Sequence, residues 1–249
     1  MNRQYCQTFR VVFCFALLTI FSGCANTGNI SGGDPFESFN RGAFKFNKAM
    51  DKKLFNPIAE VYEAILPKVV NEGVTNIFSN MNDISVIAND ILQFKFEQAF
   101  SDFFRFVVNS SIGLLGFFDV SSDMGLEKHR EDFGQSLAKW GFDSGPFFII
   151  PLLGPTTLRG SMSLIVDGVL LSPTTYIRDT GYSSGLMALQ YMDFKADLLS
   201  TGELLGIAAV DEYGFLKSVF LQYRDNLVYD RSEDDIPEVE STDFDSYDE

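Results

Sequence analysis

The sequence predicts an all-α single domain of amphipathic helices, broken once by a Gly/Pro hairpin. Three observations predict it. Apolar residues recur at three- and four-residue intervals in segment after segment, while no run alternates apolar and polar residues around a tight two-residue turn. Phe96 to Asn109 is apolar over about 200° of its helical circumference, twice the stripe that a surface helix needs. The stretch Phe133 to Arg159 places helix breakers on both sides of a short uncharged run.

At the N-terminus, Met1 to Arg10 contains Arg3 and Arg10 and no acid, and the eleven positions from Val11 to Phe21 are predominantly apolar, which reads as a secretory signal. Phe21-Ser22-Gly23-Cys24 resembles the lipobox of bacterial lipoproteins, with Phe21 where leucine is usual. That resemblance implies cleavage before Cys24 and acylation of Cys24; an ordinary signal peptide is the alternative. Ala25, where aspartate would favour retention at the inner membrane, implies sorting to the outer membrane. Cys6 and Cys14 leave with the signal, so the mature chain has no cysteine pair for a disulfide and its fold rests on burial. The expected organisation is a signal peptide over 1–23, a lipidated flexible tether over 24–33, a helical domain over 34–229 and an acidic disordered tail over 230–249. That tail holds ten acids against Arg231 alone, which accounts for most of the net charge of −15.

Asp34-Pro35-Phe36-Glu37 has the form of a capping box, after which Phe36, Phe39, Ala43, Phe46 and Met50 mark a first helix ending near Asp51. Pro57 and Pro67 bracket a short helix. Thr75 to Leu92 reads as an ordinary amphipathic helix, with Asn76, Asn80, Asp83 and Asp90 among its polar residues. On the helix from Phe96, residues Gln98, Ser101, Asp102, Arg105 and Asn109 fall within about 60° of one line. The rest, Glu97 apart, is apolar and includes Phe96, Phe100, Phe103, Phe104 and Phe106, which require either more protein or acyl chains as neighbours. Gly141, Gly145 and Pro146 end the helix that contains Gln135 to Trp140. Phe147 to Ile150 then runs to Pro151, and Gly154-Pro155 breaks the chain again before Thr156 or Thr157 can cap a further helix. Helices are expected over Leu158 to Leu171, Leu186 to Leu199 and Asp211 to Val228.

Chemistry-bearing patterns are sparse. The single histidine, His129, reads as a solvated loop residue, and adjacent acids such as Glu131-Asp132 read as solvated too. There are no metal-ligand spacings, no Gly-x-Ser-x-Gly elbow, no phosphate-binding glycine loop, and no basic cluster that would argue for nucleic acid. No enzyme activity, metal or cofactor is expected.

The ordered set Asp34-Pro35-Phe36-Glu37-Ser38-Phe39-Asn40-Arg41, Phe46-Asn47, Arg105-Phe106, Asn109, Gly113, Gly116, Asp119, Asp132-Phe133-Gly134-Gln135-Ser136-Leu137, Trp140-Gly141, Gly145-Pro146, Pro151, Gly154-Pro155 and Leu158-Arg159 resembles the MlaA/VacJ family of outer-membrane phospholipid-transport lipoproteins. Lys217 departs from it, standing where that family often has arginine. The resemblance implies a ring of amphipathic helices embedded in the inner leaflet of the outer membrane, on its periplasmic side, around a central amphipathic channel with the hairpin beside it. Phospholipids misplaced in the outer leaflet would pass through that channel to a soluble periplasmic lipid carrier, and trimeric outer-membrane porins are the implied partners. On this reading Cys24 is the anchor, and Gln98, Asp102, Arg105 and Asn109 line the lipid path. Arg105 meets phosphate there, with a structural salt bridge as the other reading. Gly141, Gly145 and Pro146 are the hairpin hinge, and Phe142 and Phe147 its gate. Asn40, Arg41 and Asn47 set the first helix at the leaflet boundary. The alternatives are a lipoprotein that scaffolds porins without conducting lipid, and a soluble lipid carrier.

Overall fold

The computed structural model describes residues 34–208 and 211–231. The expected signal, the tether with Cys24, and the tail from 232 onward lie outside the described residues. The fold belongs to the unit that begins at Phe36.

Helix α1 spans Glu37–Met50 with Phe36 as its cap residue, two residues past the expected start at Pro35. Glu37 accepts from Arg41 Nε at 2.8 Å, one turn along. Nor does the helix stop at Asp51. It continues through a π-helical turn, Asp51–Phe55, into α2, Asn56–Ile65, and breaks where Leu66 becomes extended before Pro67. Helix α3, Lys68–Leu92, starts seven residues before the expected Thr75. Gly73, within this added stretch, lets the Phe117 ring cross close to the helix, where a β-carbon would lie 2.2 Å from it.

Helix α4, Phe96–Ser111, packs along α3. After a turn-rich segment, Asp119 caps the short α5, Val120–Asp123, by accepting from Ser122 N, and Asp132 caps α6, Phe133–Lys139, by accepting from Gln135 N. The stretch expected as a Gly/Pro hairpin forms an antiparallel two-stranded ribbon within the otherwise helical fold. β1, Phe147–Ile150, pairs with β2, Gly154–Thr157, in a register that sets Phe147 opposite Thr157 and Ile150 opposite Gly154. Thr157 caps α7, Leu158–Ile165, by accepting from Gly160 N at 3.1 Å. A π-helical continuation, Val166–Leu171, a 3-10 turn, Pro173–Tyr176, and the long helices α8, Thr180–Ala208, and α9, Glu212–Val228, complete the fold. The fold extends past its expected end, since Asp230 pairs with Lys95 at 2.6 Å and Lys139 at 3.2 Å.

The distribution of burial is inverted. Among the described residues nineteen polar or charged side chains are buried against ten apolar ones, while large apolar side chains stand exposed on every long helix. An apolar cluster of Ala43, Phe147, Ile149 and Tyr213 joins α1, β1 and α9. Elsewhere the described interior is predominantly polar. No described helix is long and apolar enough to cross a membrane.

Candidate functional site

The polar line on α4 faces inward. Asp102, Arg105 and Asn109 are buried, while Phe96, Phe100, Phe103 and Phe104 are between 43% and 64% exposed on the opposite side. This helix is inside out by the standard of a soluble protein. α3 is built the same way, with Asn80, Asp83, Asn89 and Asp90 buried and Ile84 and Ile91 exposed, so it is not the ordinary amphipathic helix its periodicity suggests. Burying these groups unpaired would cost several kcal/mol each, and their hydrogen bonds offset that cost.

Arg105 lies at the centre, 2% exposed. Its Nη2 donates to both oxygens of Asp119 at 3.1 Å, and Nη1 donates to Ser122 Oγ and to the carbonyl of Leu126. Asn109 donates to Asp119 at 2.9 Å and accepts from Ser121 N. Burial alone would raise the Asp119 carboxyl, yet hydrogen bonds from Ser122, Ser121 and Asn109 hold it well below its ordinary value. Arg105 therefore makes the salt bridge that was its other reading. Asp102 and Asn109 are likewise engaged with protein rather than with an open path.

Asp102 accepts from His129 Nδ1 at 3.0 Å. His129 is thus not the solvated loop residue expected of it. On the next turn of the interface Asp90 accepts from Gln98 at 2.9 Å through Oδ1, while its buried Oδ2 has no donor. Burial, the neighbouring Asp102 carboxylate and Glu131 push the Asp90 carboxyl up to about 8. Glu131 is buried too, receiving Gln93, Lys95 and Gln98 between 2.7 and 2.9 Å, and Asp132 is held by Arg224, so neither member of that adjacent acid pair is solvated as expected. Of the residues expected to line a lipid path, Gln98 borders an open cavity of about 780 Å³ that it shares with Phe94, Lys95, Phe96, Ser101 and His129. Phe94, at φ 63°, sits in the left-handed region, and the strained turn leaves its ring 75% exposed at that cavity.

The hairpin is fastened to α1 by two asparagines seven residues apart. Asn40 donates to the carbonyl of Phe147 at 3.2 Å and accepts from Ile149 N at 2.9 Å; Asn47 donates to the carbonyl of Ile150 at 3.1 Å and accepts from Leu152 N at 2.7 Å. Seven residues make nearly two helical turns, so both face the same side and pair with the open edge of β1. Arg41 reaches Asp211 with two hydrogen bonds of 2.9 and 2.7 Å and stacks over Tyr213. These three residues therefore join α1 to the ribbon and to the start of α9, a role the sequence did not assign them.

The expected hinge and gate separate. Gly141 and Gly145 hold positive φ of 89° and 69°, which a side chain rarely adopts. Pro146 contributes its carbonyl to Leu158 N at 3.2 Å, and Phe142 is exposed. Phe147, expected at the gate, is 5% exposed, in edge contact with Tyr213 and tilted against Phe220, and anchors the ribbon in the apolar cluster. Among the described residues no group of His, Cys, Asp and Glu could hold a metal ion.

Comparison with known proteins places this arrangement. The family model for the MlaA lipoprotein matches residues 32–227. The intermembrane phospholipid transport system lipoprotein MlaA of Escherichia coli K12 is 30% identical over 215 residues, covering 83% of this chain and 84% of that one. The protein of the same name from Haemophilus influenzae is 28% identical over 209 residues, covering 81% and 83%. A solved structure described under "Structural basis for maintenance of bacterial outer membrane lipid asymmetry" superposes with a TM-score of 0.69 at 26% identity, covering 79% of this chain and 99% of that one.

Proposed function

The chain belongs to the MlaA lipoprotein family, and from that premise we propose that it removes misplaced phospholipids from the outer leaflet of an outer membrane. It passes them through an amphipathic channel to a soluble periplasmic carrier, and so maintains lipid asymmetry. Cys24 anchors it to the inner leaflet by its acyl chains, and trimeric porins hold it in place.

The observation that carries this reading is the inversion of α4. Its phenylalanines face outward, and Asp102, Arg105 and Asn109 face inward. Transfer of Phe94, Phe96, Phe100, Phe103 and Phe104 from water to acyl chains, each at roughly half to three-quarters exposure, gains on the order of 5–8 kcal/mol. A helix with such a face lies in a leaflet rather than across it. Polar groups inside such a body give a headgroup a wet surface while its tails stay in hydrocarbon. Gln98 contributes at the cavity, and Gly141, Gly145 and Pro146 let the loop that carries Phe142 swing beside the path.

The test is outer-leaflet phospholipid content in cells lacking the protein, complemented with wild type or with Cys24→Ala at matched abundance. Loss of the protein should raise surface phospholipid, wild type should lower it, and Cys24→Ala should not. An unchanged surface content without the protein refutes transport and favours a scaffold for porins.

A further inference from the structure

Five of the nineteen basic residues of this acidic chain fall between Arg41 and Lys53, against the single acid Asp51. The structure sorts them. Arg41 is taken by Glu37 and Asp211, Lys48 by Glu212, and Asp51 itself by Lys195 at 2.6 Å. Lys45, Lys52 and Lys53 are exposed and form no ion pair among the described residues. The sequence shows the basic residues, and helix geometry with the removal of the paired members shows which of them are left exposed.

Their placement on α1 and its π-helical extension follows from a seven-residue rhythm. Asn40 and Asn47 form the row fastened to β1, Phe39 and Phe46 form an exposed row about 100° round from it, and Lys45 and Lys52 lie about 100° further on. Lys53 continues the phenylalanine row at its far end. The order around the helix is thus protein, apolar, cationic. A helix with this order rests its aromatic row among acyl chains and its lysine row at the level of the headgroups.

We propose that Lys45, Lys52 and Lys53 form a docking row for net-anionic phospholipid headgroups, whose phosphodiesters carry no compensating ammonium. Charge complementarity selects this occupant over a zwitterionic lipid, and the adjacent phenylalanine row selects a lipid surface over an acidic protein. The inference rests on the reading that α1 lies against a bilayer. It adds that the lipid beside α1 is chosen by charge, although the whole chain carries −15 and would otherwise be repelled by an anionic surface. Each lysine near an anionic surface contributes about a five-fold preference at low salt, and this falls as screening increases.

The experiment uses the full lipidated chain, purified in detergent. The detergent is removed in the presence of equal areas of two vesicle populations, one of phosphatidylethanolamine and phosphatidylcholine and one with part of the lipid replaced by phosphatidylglycerol, and the populations are separated by density. Wild type should favour the anionic vesicles at least ten-fold at low salt and approach parity at high salt. The triple variant Lys45→Gln, Lys52→Gln, Lys53→Gln, with unchanged circular dichroism, should divide nearly evenly between them. An equal preference in wild type and variant, or none in wild type, overturns the docking row while leaving bilayer contact intact. Failure of wild type to associate with either population beyond what its acyl anchor supplies, measured against an acylated tether peptide, overturns both this inference and the leaflet reading.

Discussion

Replacing Asn40 by alanine should destabilise the protein far more than the same change at Asn47, although each makes a matched pair of hydrogen bonds to the hairpin. Asn40 is fully buried, and its partners belong to Phe147 and Ile149, which are 5% and 1% exposed. Its removal leaves one carbonyl and one N–H without a partner where water does not reach. At about 1–3 kcal/mol for each orphaned group, the cost is about 2–5 kcal/mol. Asn47 is half-buried, and its acceptor serves the N–H of Leu152, which is 41% exposed. Water can replace it there, so the expected cost is about 0.5–1.5 kcal/mol. Urea unfolding in detergent micelles followed by circular dichroism gives both values, and amide exchange at Ile149 reports the hairpin locally. Ile149 should lose protection in the Asn40 variant and keep it in the Asn47 variant. Equal costs at the two sites, or a cost below about 1 kcal/mol at Asn40, would refute the argument that α1 holds the ribbon through a buried polar contact.

Arg105→Leu should cost about 3–5 kcal/mol, because it leaves the Asp119 carboxylate without its cation, and a cycle with Asp119→Asn should show coupling of about 2 kcal/mol or more. A variant as stable as wild type that fails only in lipid transport would return Arg105 to a role at lipid phosphate. The Asp90 carboxyl, raised to about 8, binds its proton in the folded state where the unfolded chain has released it. Its contribution is complete below the ordinary carboxylate range and is lost as pH rises from there through about 8, with a slope of at most about 1.4 kcal/mol per pH unit. Asp90→Asn should flatten that slope in unfolding measured across this window, with the opposing carboxylates Asp102 and Glu131 and the cations Lys95 and His129 left in place; an unchanged slope would show that Asp90 is not the group responsible. Gly145→Ala should cost about 2–4 kcal/mol, since its β-carbon would meet Leu158 Cβ at 2.7 Å in addition to a left-handed strain of about 1 kcal/mol. Gly141→Ala, with open space around it, should carry the strain alone, and equal losses of thermal stability would contradict this difference.

The helices were legible because their period is intrinsic to the backbone, and the polar line on α4 fell where the wheel places it. The wheel does not say which side is inside. For Gln98, Asp102, Arg105 and Asn109 the rule learned from water, polar side out, fails where the surroundings are themselves apolar. The helical stop expected near Asp51 failed for another reason. Lys52 and Lys53 suit a helix end, but the chain passes it by widening one turn, which costs no residue its helical backbone. The ribbon was legible as a Gly/Pro hairpin but not as paired strands, since four residues a side carry little alternation. His129 was misread because its partner is 27 residues away on another element, and nothing in the loop Lys128-His129-Arg130-Glu131 distinguishes an inward from an outward histidine. The cap at Thr157 was legible, being purely local.

The polar interior follows from the same circumstance that hid it. Between helices surrounded by acyl chains, burying a leucine gains little, because lipid is as apolar as the neighbouring helix. Adhesion must then come from groups that lipid cannot satisfy. Between α3 and α4 it comes from Asn80 on Ser110 and Gln98 on Asp90, and the loop that follows is drawn in by Lys128 on Asp83, His129 on Asp102 and Glu131 on Lys95. Several of these partners are themselves desolvated carboxylates, and burial holds Asp83 above its ordinary value despite Lys128. Such a network is worth little until it is complete, and an unpaired member costs more than the pair returns. It therefore specifies one arrangement of helices more sharply than an apolar core would. The exposed loop from Gly141 to Gly145, bounded by two left-handed glycines, stands outside this side-chain network and is held instead through its backbone: Phe142 N donates to the carbonyl of Leu137, and Arg159 donates to the carbonyls of Phe142 and Ser144.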